Sequence, residues 1–357
     1  MIKIRYTFGA LGVGSVLTIL FGFSSFLCVE AQTGGASTFA FLELHAPARI
    51  AALGSSAIAT PGADLGLASQ NPALLTREMD RQLSFSRGYL PSGIRFGNVQ
   101  AAASISRIGM FMFNLQHVQY GEFQYTNENA EVLGTLKAGE YAFNLGWSKQ
   151  LDSSWNIGAQ AKYVFSDLAG NTASGLAADL GVTWHNRRKK VMASFLIRNA
   201  GRQLDRYESG ISEDLPLEIQ AGISKELAKA PFRFSLIFQH LQQWDLRYKD
   251  RELGQTDPLT GNAIEEKTGF LENAFRHVIL NTEILLSKNF HLRLGYNLLR
   301  RDELGFTARP GMSGFSFGTG FRVNRFQLSY AHSVLNTAGG SNHISISTNL
   351  RDFTRKK

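Results

Sequence analysis

The sequence predicts an all-β protein, a transmembrane antiparallel β-barrel of about 14 strands that carries an N-terminal plug or periplasmic cap segment. Composition is the first observation: of 357 residues, 35 are glycine and 26 are phenylalanine, while only 18% are charged. The second is a repeated alternation of apolar with small or polar residues, and the third is an alternation of short with long connections. These features suit a sheet that is apolar on one face and small and polar on the other.

Residues 1–31 are predicted to be a secretory signal peptide. Lys3 and Arg5 precede an almost wholly apolar run over residues 8–29, and a small-x-small site ends at Ala31. This order of features is typical of a cleaved leader. The alternative, an N-terminal membrane helix, is disfavoured by the cleavage site and because no stop-transfer cluster of charges follows. Cys28 is the only cysteine, so the mature chain would have neither a disulfide nor a thiolate metal site.

Residues 32–81 are predicted to form the plug or cap, with short helices. Pro47 would end a short extended part, and residues 48–53 would form a helix that ends at Gly54. Because both termini of such a barrel face the periplasm, the segment would fold into the lumen or cap the periplasmic mouth. The apolar side chains expected to pack inward are Phe39, Phe41, Leu42 and Leu44.

Residues 82–353 are predicted to form the barrel, followed by a basic tail at 354–357. In residues 290–298, for example, Leu292 and Leu294 would face lipid while Arg293 would face the lumen. Segments of this kind run to about 9 residues or more, the length that crosses a bilayer when tilted. A soluble β-sandwich also alternates, but its outer face would be charged, whereas here the second face is glycine, serine, asparagine and glutamine. Aromatic residues at strand ends suit an interfacial girdle: Trp155, Tyr163, Phe165, Trp184 and Tyr296.

The connections predict which way the barrel faces. Short turns are expected near residues 106–107, 151–153, 186–188, 228–230, 287–289 and 324, and longer polar loops near 119–136, 166–173, 200–215, 243–272, 301–312 and 335–341. Short turns face the periplasm in outer-membrane barrels. The sequence therefore predicts a protein of the outer membrane of a Gram-negative bacterium, with its last strand over residues 343–350.

No motif in the sequence predicts an enzyme or a cofactor site. The eight histidines lack metal-ligand spacing, and Asn71-Pro72-Ala73 is a single copy of a water-channel signature that needs two copies within a helical bundle. The net charge of +8 includes no basic run interleaved with aromatics, so no nucleic-acid partner is expected. Six charged side chains are predicted to face the lumen: Lys162, Asp179, Arg233, Glu283, Arg293 and Arg322. They would either line a pore or, as we favour, neutralise one another.

Three stretches of the sequence resemble a known family. They are residues 38–54, Asp64-Leu65-Gly66-Leu67 and Asn71-Pro72-Ala73-Leu74-Leu75, with a further match at Tyr120-Gly121-Glu122-Phe123 in the first predicted long loop. On these the chain is similar to the PorQ family of the type IX secretion system, within a wider group that includes PorV and FadL-type barrels. Ser55 departs from the pattern, which usually has glycine there. The motif residues are Phe39, Phe41, Leu42, Leu44, Pro47, Arg49, Leu53, Gly54, Asp64, Asn71 and Pro72.

The resemblance implies a function in surface attachment. PorQ-like barrels hold a PorZ-type surface protein beside a PorU-type sortase and a PorV-type barrel, in a complex that joins secreted cargo to lipopolysaccharide. The long loop at 243–273 is the predicted docking surface because it is longer than a hairpin needs; the alternative is a lid over the mouth. Its apolar residues are Trp244, Leu246, Tyr248, Phe270 and Leu271. The competing function is a FadL-type transporter of hydrophobic small molecules, which would need an apolar pocket beneath the mouth.

Overall fold

A closed antiparallel barrel of 14 strands forms the body of the protein, as the sequence predicts. The computed structural model describes residues 37–127, 129, 131–207, 212–246, 269–304, 311–336 and 339–354, so the predicted signal peptide, with Ala31, and residues 355–357 of the tail lie outside them. The strands are β1 (Gln82–Tyr89), β2 (Arg95–Ile105), β3 (Gly109–Thr126), β4 (Val132–Gln150), β5 (Trp155–Leu168), β6 (Asn171–Asn186), β7 (Val191–Asp205), β8 (Glu218–Glu226), β9 (Phe232–Phe238), β10 (Val278–Ile284), β11 (Phe290–Asn297), β12 (Phe315–Val323), β13 (Phe326–Asn336) and β14 (Gly339–Asn349).

Closure is made by the first and last strands. Each strand pairs with its neighbours in sequence, and β1 also pairs with β14, with Phe85 opposite Ile346. A barrel without edges leaves no row of unpaired backbone groups facing lipid, where each would cost several kcal/mol. The last strand ends where the sequence predicts but begins earlier than residue 343, because polar residues from Gly339 onward continue the pairing with β13.

The helices are short and lie within the lumen or at the ends of the barrel. They are α1 (Ala48–Ala52), α2 (Leu65–Gln70), α3 (Phe270–Arg276), α4 (Leu298–Leu304) and α5 (Arg351–Thr354), with 3₁₀ turns at Ala40–Glu43, Pro72–Leu74, Arg77–Met79 and Pro91–Gly93. None of the helices in the described part of the chain is long and apolar enough to cross a membrane.

The two faces of the wall differ as the alternation predicts. Phe143 and Leu145 of β4 are exposed on the outer surface, while Asn144 between them is buried in the interior. The same contrast recurs around the barrel, so the outer surface is an apolar band and the inner surface is small and polar. This is the arrangement of a membrane barrel, in which lipid replaces the hydrophobic core as the partner of the apolar side chains.

Short turns lie at one end of the barrel, which we call the periplasmic end, and the opposite end is the extracellular end. Three of the predicted long loops are much shorter than expected, those near residues 119–136, 166–173 and 335–341. β13 reaches Asn336 and β14 begins at Gly339. β3 and β4 continue pairing as far as Thr126 and Val132, and β5 and β6 are joined by Ala169 and Gly170 alone. Their polar composition indicated loops, but a hairpin that projects beyond the bilayer needs no apolar face. Tyr120-Gly121-Glu122-Phe123 therefore lies within β3, where the pairing with β4 is irregular between Gln119 and Gly121.

Residues 37–80, which we call the N-terminal segment, run through the interior of the barrel. Ser37 forms a parallel bridge with Asp214 in the β7–β8 connection at the extracellular end, and the segment reaches β1 at the periplasmic end. Its first described residues therefore lie at the opposite end from the one that the sequence suggests. α1 begins after Pro47 as expected, whereas residues 40–43 form a 3₁₀ turn instead of an extended part. That turn follows Phe39, whose left-handed φ of 56° breaks the extension.

Candidate functional site in the barrel lumen

The N-terminal segment is held by side chains from strands all round the barrel. Its irregular backbone leaves carbonyl groups without partners, and buried carbonyls need hydrogen bonds. Inward-facing polar side chains supply them: Gln116 donates to Phe41 and Leu44, Asn156 to Ala73, Ser224 to Ala59, Asn281 to Ser56, Asn297 to Gly54 and Ser333 to Ala51, at 2.6 to 3.2 Å. The polar side chains of the inner face therefore supply the hydrogen bonds that the backbone of this segment needs.

Inward-facing glycines give the segment room. A β-carbon on Gly158 of β5 would lie 2.3 Å from the Pro72 carbonyl carbon, and one on Gly295 of β11 would lie 2.1 Å from the Gly54 nitrogen. Both contacts are with backbone, which cannot yield as the end of a flexible side chain can. Part of the high glycine content is therefore explained by close approach between the wall and the segment.

The family-motif residues after Gly54 shape the segment itself. Asp64 caps α2, accepting a hydrogen bond from the Gly66 nitrogen at 2.9 Å. Asn71 is fully buried, accepts from the Ala73 nitrogen at 3.0 Å and donates to the Ile58 carbonyl at 2.9 Å. Asn71-Pro72-Ala73 is thus a structural turn pressed against β5 and β6, consistent with its rejection as a water-channel signature.

An apolar layer closes the extracellular half of the lumen. Phe39, Phe41 and Leu42 are buried there against Phe96 of β2 and Val118 of β3. Leu44 is only partly buried at the edge of this layer. Phe39, Phe41 and Leu42 thus pack into the lumen, at its extracellular end.

Four charged side chains meet near the periplasmic end of the lumen. The Glu283 carboxylate of β10 accepts from Arg49 at 3.0 and 3.1 Å, from Arg233 at 2.6 Å and from Arg293 at 3.2 Å. Arg49 also lies 3.8 Å from Asp64, and Arg233 lies 2.7 Å from Glu226. The predicted lumen charges thus gather with a motif residue, Arg49, whose guanidinium ties the segment to the wall.

A second buried pair joins Lys162 and Asp179 at 2.7 Å, and a third joins Arg198 and Glu218 at 2.9 Å. The third pair escaped the sequence analysis because Arg198 lies beside the irregularity in β6–β7 pairing. Its guanidinium also donates to the Leu42 carbonyl. Most predicted lumen charges therefore pair with opposite charges. Arg322 is the exception: it occupies an inward position of β12 but is exposed at the periplasmic end.

A cavity of about 700 Å³ opens at the periplasmic end of the lumen. The backbone of residues 73–78 forms one side, and Met110, Trp155 and Met192 contribute from the strands. This volume lies in the range of ligand pockets, about 300 to 1,000 Å³.

Apolar side chains are exposed at the extracellular end, in the loop predicted for docking. Phe270 and Leu271 of α3 are 72% and 70% exposed, and Phe275 is 58% exposed. Trp244 stacks on Phe270 with ring centroids 5.0 Å apart. We call these four residues the extracellular apolar rim. Leu246 does not belong to it, because its side chain is buried beneath, and Tyr248 lies outside the described residues.

Two histidines of the last hairpin have polar side-chain or backbone partners. His343 contacts the Ala46 carbonyl and Ser341, and His332 contacts Asn342. No group of three or more metal-ligating side chains forms in the described part of the chain.

Solved structures with the same fold are transport channels. The chain is similar to the TodX deltaS2S3 mutant monoaromatic hydrocarbon channel, with a TM-score of 0.51 and 12% sequence identity. The match covers 85% of this chain and 99% of the channel. The Pseudomonas putida toluene transporter TodX matches over 85% of this chain and 97% of the other, also with a TM-score of 0.51 and 12% identity. The Ralstonia pickettii toluene transporter TbuX has a TM-score of 0.49 and 10% identity, over 87% of this chain and all of its own length.

These neighbours show that the chain has the fold of the TodX hydrocarbon channel. No protein-family model matches the sequence. No curated protein matches it either.

Proposed function

We propose that the protein carries small hydrophobic molecules across the outer membrane, with the N-terminal segment as a movable plug. The observation that carries this proposal is a barrel with the fold of monoaromatic hydrocarbon channels, whose lumen holds one continuous segment from end to end. A molecule that enters from outside meets the apolar layer around Phe41 and Leu42. A shift of the segment would join that layer to the periplasmic cavity.

A reversible cross-link tests whether the segment must move. A β-carbon on Gly222 of β8 would lie 3.2 Å from the Ala59 β-carbon, close to the 3.5–4.5 Å typical of a disulfide. In Ala59→Cys/Gly222→Cys, oxidation should pin the segment to the wall. Cys28, the only native cysteine, precedes the predicted cleavage site.

The measurement is uptake of radiolabelled toluene by proteoliposomes, with each single-cysteine variant as a control. Uptake should exceed that of protein-free vesicles, fall on oxidation of the double variant alone and return on reduction. Uptake no greater than that of protein-free vesicles would refute transport of this probe class. Uptake that persists after complete cross-linking would refute the plug.

A second function, surface anchoring, is favoured by the extracellular apolar rim. Docking interfaces are enriched in aromatic side chains at their centre and are surrounded by polar residues. Here Trp244, Phe270 and Phe275 are exposed beside the charged Glu272 and Arg276. Under this proposal the rim binds a PorZ-type surface protein, beside PorU-type and PorV-type partners, as the resemblance in residues 38–75 implies.

A rim variant separates the two functions. Phe270→Ser/Leu271→Ser/Phe275→Ser should abolish co-purification of a surface protein from native outer membranes if the barrel is an anchor, and should leave toluene uptake intact. Phe123→Ser/Tyr125→Ser is the matched control, because these residues of β3 are 50% and 54% exposed at the same end of the barrel. Equal recovery from both variants would refute the rim as the docking surface.

A further inference from the structure

We infer that the periplasmic end of the barrel holds a binding site for a phosphate group, built around Arg293. A separate cavity of about 270 Å³ opens there, beside the β10–β11 turn. Its wall includes Arg49, Arg233, Arg293, Lys288, Arg322 and His291. The site differs in position and chemistry from the larger cavity of the transport proposal, and it does not depend on that proposal.

The charge balance around Glu283 leaves Arg293 undercompensated. Three guanidiniums share the Glu283 carboxylate, but two of them have a further carboxylate: Arg49 has Asp64, and Arg233 has Glu226. Arg293 forms no ion pair with a second carboxylate among the described residues. Its Nη1 is buried and has no hydrogen-bond acceptor. A buried charged donor without an acceptor is costly, so an acceptor from a ligand would be stabilising here.

The unpartnered nitrogen lies against Gly320, and its side chain belongs to the cavity wall. Arg293 and Gly320 of β12 both line the cavity, and a β-carbon on Gly320 would lie 2.6 Å from Arg293 Nη1. Glycine at this position therefore leaves the space in which the guanidinium lies. Arginine presents several donors in a fixed plane, which matches the oxygens of a phosphate.

Two exposed cations at the cavity mouth extend the positive field. Lys288 lies in the β10–β11 turn and Arg322 at the end of β12, and neither has an ion-pair partner among the described residues. Lys288 and Arg322 thus add two unpaired positive charges to the unsatisfied donor of Arg293, around a space that faces the periplasm. A tetrahedral oxyanion fits this arrangement better than a neutral ligand, because converging cations repel one another unless an anion lies between them.

Phosphate at this end of the barrel has two sources, a free anion in the periplasm or the headgroup of a phospholipid in the inner leaflet. The first arm of the test is a calorimetric titration of the detergent-solubilised full chain with inorganic phosphate at low ionic strength. The second is native mass spectrometry of phosphatidylglycerol retained by the same preparation. Both measurements test binding of a phosphate group, and together they distinguish a free anion from a lipid headgroup.

Two variants probe the site by different means. Lys288→Gln/Arg322→Gln removes the charges at the mouth, where both side chains are exposed and folding should be unaffected. Gly320→Ala keeps every charge but displaces the flexible end of Arg293. Each should weaken phosphate binding about tenfold or more, the equivalent of one charge-assisted hydrogen bond. Arg188→Gln/Lys229→Gln is the control, with the same charge change in two other periplasmic turns.

Saturable phosphate binding that both test variants weaken, and the control does not, supports a free anion as ligand. Loss of retained phosphatidylglycerol in the same two variants alone supports a lipid headgroup. The site is refuted if neither probe responds to Gly320→Ala, or if the control weakens binding as much as Lys288→Gln/Arg322→Gln does. Heat-dependent gel mobility of each variant verifies that the barrel has folded.

Discussion

Arg49 and Glu283 join the N-terminal segment to β10 through two hydrogen bonds, Nε to Oε1 at 3.0 Å and Nη2 to Oε2 at 3.1 Å. Their side chains are only 9% and 2% exposed. Paired, bidentate contacts of this kind are among the strongest polar interactions in proteins and fix orientation as well as distance. The segment is therefore anchored to the wall at a defined point in the lumen.

Glu283→Gln should destabilise the barrel strongly. The substitution leaves three guanidiniums close together without the carboxylate that they share, and breaking a buried ion pair costs about 3–5 kcal/mol. Urea unfolding of the refolded barrel, followed by tryptophan fluorescence, measures the loss. Lys137→Gln is the control, because the Lys137–Glu122 pair is 78% and 64% exposed and such pairs contribute about 1 kcal/mol or less. Equal losses from the two variants would contradict the central role of Glu283.

Lys162 and Asp179 should show strong coupling in a double-mutant cycle. Either single change, Lys162→Met or Asp179→Asn, leaves one buried charge without its partner at 2.7 Å. The double variant removes both charges, so its loss should be smaller than the sum of the single losses by about 1–3 kcal/mol. Unfolding free energies of the four proteins measure the coupling. Additive losses would show that the two side chains act independently.

The fold could be predicted because alternate residues of each strand face lipid and the lumen, and the two environments select different residue types. Phe143 and Leu145 meet lipid while Asn144 meets the lumen, and this contrast needs no long-range information. The extracellular ends of the strands were harder to predict. Beyond the bilayer neither face needs to be apolar, so β3 and β4 extend to Thr126 and Val132 through sequence that has the composition of a loop.

The lumen could be predicted only in part, for a different reason. Inward positions such as Glu283 and Arg293 follow from strand alternation, but their partner Arg49 lies 234 residues from Glu283 and meets it only after the barrel has closed. The sequence likewise did not predict which way the N-terminal segment runs through the barrel, because its path depends on polar contacts from many strands at once. Leu246 was assigned to the surface from its loop position, although its side chain is buried under that loop.

Gly158→Leu should dislodge the N-terminal segment. Its β-carbon would fall 2.3 Å from the Pro72 carbonyl carbon, so the segment must move away from β5. Limited proteolysis should then cleave within residues 60–76 faster in the variant than in the wild type, and conductance in planar bilayers should rise. The matched control is Gly134→Leu in β4, where a β-carbon meets nothing within 4 Å. An unchanged digestion pattern in Gly158→Leu would contradict the close contact.

Ser55 offers a test of the one departure from the family motif. Its φ of 69° lies in the left-handed region, which disfavours every residue with a β-carbon, and this explains why glycine is usual there. Ser55 Oγ also accepts a hydrogen bond from Arg300 Nη2 at 2.7 Å, so the hydroxyl offsets part of the backbone strain. Ser55→Ala loses the hydrogen bond and keeps the strain, whereas Ser55→Gly loses both.

The glycine variant should therefore be more stable than the alanine variant by about 1 kcal/mol, the usual cost of a left-handed conformation for a residue with a β-carbon. Because both variants lack the hydroxyl, the difference between their free energies of unfolding reports the cost of the left-handed backbone conformation alone. Urea unfolding under identical refolding conditions measures it. Equal stabilities, or a more stable alanine variant, would mean that residue 55 does not have a left-handed conformation. The turn after α1 could then not be explained by two successive left-handed residues, Gly54 and Ser55.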